Sequence, residues 1–150
     1  MEENTKFKKT NSNIILETIS FLLLLILWII PIYFFSSLPE EIPMHYTQAK
    51  VDSYGSKWTI FYLPIFGLIL FVTLTLLSKT KYVGNITEIK KTSIISKIFM
   101  LLIFLVINYS TIEISTGIKK ALDLSFLPFL VIFYLLIMVA IKYNTKKELI

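Results

Sequence analysis

Long runs without a charged residue constrain this chain more than anything else in it. Ile19–Leu38 and Trp58–Leu77 are each twenty residues long and carry no charge. A third apolar stretch, from about Ile94 to Ile118, is interrupted by Lys97 and Glu113, and a fourth covers Leu124–Ile141. A spanning helix needs roughly 18–20 predominantly apolar residues. Across 150 residues the apolar share is 55% and the charged share 17%, whereas a soluble domain is about 45–50% apolar and about 25% charged. The reading is an all-α membrane protein with the lipid bilayer as its first partner. Residues 1–150 form a single membrane domain, a bundle of four transmembrane helices at approximately 19–38, 58–77, 94–116 and 124–141. A long irregular extracytoplasmic loop, 38–57, joins helices one and two.

The first run is not a cleaved signal peptide. A signal core is about 7–15 residues and ends in small residues, whereas this run ends in Phe34-Phe35-Ser36-Ser37-Leu38. Lysines are counted across the connections because the cytoplasmic side holds the excess. The two tails and the second connection hold eleven of them, and the first and third connections hold four. Both termini are therefore expected in the cytoplasm. Pro31, Pro64 and Pro128 fall inside the proposed helices, where neighbours can satisfy the freed carbonyls and a kink shapes the bundle.

The net charge is +5, but all fifteen basic residues are lysine. Nucleic-acid sites favour the bidentate fork of arginine, so no nucleic-acid partner is expected. The lysine- and isoleucine-rich vocabulary points to an AT-rich bacterial genome. No cysteine is present, which removes disulfides, thiolate metal sites and thiol catalysis.

The first connection, LPEEIPMHYTQAKVDSYGSK, carries the most information. Pro39 and Pro43 push Leu38 and Ile42 toward extended backbone. Tyr46, Tyr54 and Trp58 are rings that anchor at headgroup level. Gly55 permits a turn, and Lys57 can snorkel at the start of helix two.

The string Leu38-Pro39-Glu40-Glu41-Ile42-Pro43-Met44-His45-Tyr46, then Asp52 and Tyr54-Gly55-Ser56-Lys57, resembles the signature of the bacterial membrane family called domain of unknown function 1648. The resemblance covers about residues 34–80. The family usually has an Asn-like residue where this chain has Thr47, and a central glycine where it has Ala49-Lys50, one residue shorter. That domain also occurs at the N-terminus of immunity proteins of the sporulation-delaying-protein type. The resemblance thus implies a small multi-pass protein of the bacterial cell membrane. By association it also implies a protein that meets a secreted peptide toxin or another membrane protein.

Among reactive candidates, His45 with Glu40 and Glu41 falls short of a zinc set, which takes three or four protein ligands. Ser56-Lys57 lacks any oxyanion partner, so no enzyme activity, metal or cofactor is expected. Glu17 reads as a carboxylate at the start of helix one, complementing the helix dipole. In helix three, Asn108, Thr111 and Ser115 share one side, and Tyr109, Glu113 and Thr116 another. Polar groups there act as interhelical glue or mark a pathway. With Lys97 taken as the cytoplasmic boundary, Glu113 is expected near Lys57 or His45. The candidate loop residues are therefore Pro39, Glu40, Pro43, His45, Asp52, Gly55 and Lys57, with Asn108 and Glu113 inside the membrane. The expected function is binding or interception of an extracytoplasmic peptide, in toxin immunity or accessory sensing. The alternative is a small transporter or proton-linked carrier using helix three.

Overall fold

The computed structural model describes residues 2–47, 50–79, 86–123 and 125–147, with side chains described between 13 and 143 except at 86–88. Helix α1 runs Glu2–Phe34 and ends in a 3-10 turn, Phe35–Ser37. Strands β1 (Glu41–Thr47) and β2 (Lys50–Ser56) follow, then a 3-10 turn, Lys57–Phe61, that leads into α2 (Tyr62–Leu77). Helix α3 is Ile86–Ser115 and α4 is Leu127–Lys147.

Three helical stretches, Asn13–Ser37, Lys57–Leu77 and Ile89–Ser115, are long and apolar enough to cross a membrane. The apolar part of α4, Leu127–Tyr143, is shorter. Large apolar side chains such as Phe66, Ile69 and Phe133 face outward along these helices. A helix that is apolar all round suits a bilayer.

Two expectations are corrected. The protein is not all-α, and its first connection is not irregular: β1 and β2 form a two-stranded antiparallel sheet. Alternating β-branched and aromatic residues (Ile42, Tyr46, Val51, Tyr54) suit a pleated, half-buried surface, and Pro43 is tolerated because a two-stranded sheet has only edge strands. Helices α1 and α3 also begin well before their apolar runs. No glycine or proline lies between 86 and 115, and Glu and Lys are good helix formers. Loss of hydropathy there marks a change of solvent, not a helix end. The expected start of helix four at Leu124 lies outside the described residues.

The prolines are corrected too. Pro64 and Pro128 stand in the first turns of α2 and α4, where a proline is tolerated better than in a helix interior. Only Pro31 lies in a helix interior, one turn before α1 gives way to the 3-10 turn.

Helices α1 and α3 run in the same direction with α2 antiparallel, and their buried residues stack in levels. Leu24, Leu27 and Leu101 form one level. Gly67 of α2 closes it, because a Cβ there would lie 2.8 Å from Leu27 Cδ2 and 3.2 Å from Leu101 Cδ2. Between helices in lipid, such close approach of small residues supplies the packing energy that burial from water cannot. The next apolar level, Leu38, Ile42, Ile60 and Ile112, ties the hairpin to the helices. Helix α4 joins through Tyr134, which stacks on Phe99 at 4.4 Å and hydrogen-bonds Ser96 at 2.9 Å.

Candidate functional site

The hairpin is clamped at its base. Leu38 is extended (φ −77°, ψ 141°), as the following proline requires. The Lys57 N–H donates to the Glu40 carbonyl at 2.9 Å, and Lys57 Nζ reaches Glu40 Oε1 at 2.9 Å. The same ammonium lies 5.1 Å from the centre of the Phe35 ring, a cation–π position. Lys57 therefore locks the two ends of the loop together rather than snorkelling alone.

At the far end, register shifts flank His45. Its Nδ1 stands 2.7 and 2.9 Å from the two Asp52 oxygens, and the Thr47 hydroxyl donates to the same carboxylate. These partners hold the Asp52 carboxyl below its ordinary 3.8, Thr47 contributing most and His45 next. The group is exposed and links the strands across the turn. Gly55 does not make a turn: it pairs with Ile42 inside the ladder. Its missing Cβ leaves room for Met44, whose Cγ would come within 2.8 Å of one.

One face of the hairpin packs on α3. The Tyr46 hydroxyl lies 3.3 Å from Thr111 Oγ1, and the Thr111 hydroxyl donates to the Ile107 carbonyl at 2.9 Å. Tyr46 is therefore the donor to Thr111. Burial raises the pKa of Tyr46. Asn108, 1% exposed, donates from Nδ2 to the Ile60 carbonyl at 2.8 Å. That carbonyl precedes Pro64 by four residues and has no helical N–H to receive. Beneath the hairpin a cavity of 260 Å³ is lined by Met44 and Tyr46 of the hairpin, Tyr62 and Phe66 of α2, and Asn108 and Thr111 of α3.

Glu113 does not meet the loop. Its carboxylate lies 2.5 Å from Lys119 Nζ, while Lys57 is held by Glu40 and His45 by Asp52. The cause is the end of α3. Gly117 adopts φ +77°, its N–H bonds the Ile114 carbonyl, and the Ile118 N–H bonds Glu113. This is a Schellman cap, and it turns the chain back so that Lys119 returns to Glu113. The carboxylate raises the pKa of Lys119.

The polar group that sequence reasoning missed lies at the other end of the bundle. Lys97, 0% exposed, places Nζ 2.5 Å from Glu17 Oε2, 3.2 Å from Thr75 Oγ1 and 4.7 Å from the Phe71 ring centre. Ser20 Oγ donates to the Glu17 carbonyl at 2.8 Å. Lys97 is thus a bolt between three helices, not a boundary marker. Glu17 lies mid-helix, far from the α1 terminus, and does not serve the helix dipole. The available signal was charge itself, since an ammonium inside an apolar run needs a counter-charge. Among the described residues, no three of His, Asp and Glu converge as a metal set.

Residues 22–68 match the family model Domain of unknown function (DUF1648), the family whose signature the loop resembles. The matched stretch runs from α1 through the hairpin into α2. No curated protein and no solved structure matches the chain.

Proposed function

We propose that this chain is a small four-span protein of the bacterial cell membrane, both termini cytoplasmic, that binds or intercepts a peptide outside the membrane. Toxin immunity and accessory sensing are the two roles such binding serves. Orientation rests on the lysine excess, and α4 completes the count, since its seventeen-residue apolar stretch, Leu127–Tyr143, charged only at Lys142, reaches the lower end of the spanning range.

One observation carries the reading: the first connection is a clamped hairpin docked on the helices, not a passive link. Among the described residues, neither of its two strands is paired with another strand along its outer edge. An extended peptide adds to such an edge through main-chain hydrogen bonds. Cells expressing the protein should survive a cognate secreted peptide better than cells without it, and replacing residues 41–56 by a glycine-serine linker should abolish the difference. If no secreted peptide of the producing strain discriminates the two cell populations, the reading is wrong.

A proton-linked carrier is the second reading, and the Glu17–Lys97 pair favours it. Buried ionisable groups between spanning helices often serve ion pathways. Asn108 and Glu113, the helix-three residues such a carrier would use, are engaged with the Ile60 carbonyl and Lys119.

A further inference from the structure

We infer that the hairpin is an interfacial element: it lies flat in the hydrated headgroup layer on its own side of the membrane, and the surface it meets is phospholipid headgroup. This holds whatever the hairpin binds and whichever way the chain faces.

Depth follows from the stretch Lys57–Leu77, five residues of 3-10 turn and sixteen of α2. At about 2.0 and 1.5 Å per residue it rises about 34 Å, against a hydrocarbon layer of about 30 Å. With the exposed Lys79 just outside one face of that layer, Trp58 stands at the other. The headgroup layer beyond it is only about 5–7 Å thick, and the hairpin begins there.

An upright hairpin would leave that layer. Each strand has seven residues, so its turn would stand about 20 Å above its base. The contacts with α3 exclude this. Asn108 donates to the Ile60 carbonyl, which sets the two at one level, about 4 Å below Trp58. Thr111 is three residues further along α3 and about 4.5 Å higher, back at the level of Trp58. The hydroxyl of Tyr46, the last residue but one of β1, lies 3.3 Å from Thr111 Oγ1. The far end of the hairpin is therefore within one tyrosine side chain of the hydrocarbon boundary. It lies across the helix ends.

The side chains at this level fit headgroups. Trp58, Tyr54 and Tyr62, with Tyr33 of α1, are exposed, and Trp58 is braced by the Phe35 ring at 4.6 Å. Such rings settle where an apolar body meets lipid and a polar tip meets water. Exposed charges of both signs, Glu40, Glu41 and Lys50, accompany them and complement a zwitterionic headgroup.

The unmodified protein in phosphatidylcholine nanodiscs, with a gadolinium chelate carried on a lipid headgroup, tests this by amide relaxation. The chelate should broaden the tip amides of Lys50 and Val51 as strongly as the base amides of Glu41 and Lys57. A steep fall from base to tip, the result for an upright hairpin, overturns the inference. The depth of Trp58 is tested separately in Trp28→Phe, which leaves it as the one tryptophan. Lipids brominated next to the headgroup should quench its emission more than lipids brominated near the chain ends. The reverse order overturns the depth assigned here. A peptide adding to the hairpin edge would then arrive along the membrane surface, a consequence that rests on the proposed peptide binding. Even broadening of tip and base, with no secreted peptide affecting survival, upholds the headgroup placement and removes only that consequence.

Discussion

Breaking the Glu17–Lys97 pair from either side should have unequal cost, and removing both partners should cost little. Lys97 is 0% exposed and Glu17 is 32% exposed. In Glu17→Leu the ammonium stays fully buried with, among the described residues, Thr75 and the Phe71 ring beside it. Removing one partner of a buried pair costs about 3–5 kcal/mol, and this variant belongs at that level. In Lys97→Met the carboxylate that remains can turn toward solvent or take up a proton, so about 1–3 kcal/mol is expected. The double variant replaces the pair by apolar side chains of similar volume, which is often neutral, and should unfold within about 1 kcal/mol of the parent. The assay is reversible unfolding by SDS in mixed micelles, followed by the fluorescence of Trp28 and Trp58. Trp28 stacks on Phe61 at 6.3 Å and reports the helix packing. A coupling energy of about 3 kcal/mol or more is predicted. Additive effects of the two single variants would refute the argument that the charges stabilise each other across α1 and α3.

Three further outcomes follow from the geometry. The folded pKa of Asp52 is depressed, so its contribution to the hairpin is present above the ordinary value of 3.8 and lost as pH falls through the folded one; carboxyl NMR should find the midpoint below 3.8, and Thr47→Val should move it back up. Gly67→Ala places a methyl 2.8 Å from Leu27 Cδ2 and should lower stability by about 1–3 kcal/mol through overpacking, read in the same SDS titration. Glu113→Gln should lower the pKa of Lys119, and its effect should add to that of Lys57→Gln, because the two residues have separate partners.

Hydropathy marked where the chain meets lipid but not where its helices end. The 86–93 stretch is polar and helical because nothing in it breaks a helix. The prolines at 39 and 43 gave the extended exit from α1. They gave no hint of the hairpin, which depends on pairing between residues such as Glu41 and Ser56, fifteen positions apart. Lys57 was singled out for its charge, yet its partner Glu40 lies at the opposite end of the loop. Asn108 and Thr111 were visible as one polar side of a helix; Thr111 meets Tyr46 of the hairpin and Asn108 meets Ile60 in the turn before α2. Glu113 was mis-assigned because the lysine count treated Lys97 as a boundary. Burial of that ammonium among three helices is a tertiary fact. The reversal at Gly117 that supplies Lys119 is a local one, and a glycine just past a helix could have signalled it.

Binding of a peptide from outside requires the hairpin to face the outer side of the membrane. The chain contains no cysteine, so single cysteines report cleanly. Ser53 is exposed at the far end of the hairpin, and Lys79 is exposed just after α2. In intact cells a membrane-impermeant maleimide should label Ser53→Cys, and should reach Lys79→Cys only after the membrane is opened. Labelling of Lys79→Cys but not Ser53→Cys in intact cells would place the hairpin in the cytoplasm and contradict the proposed function.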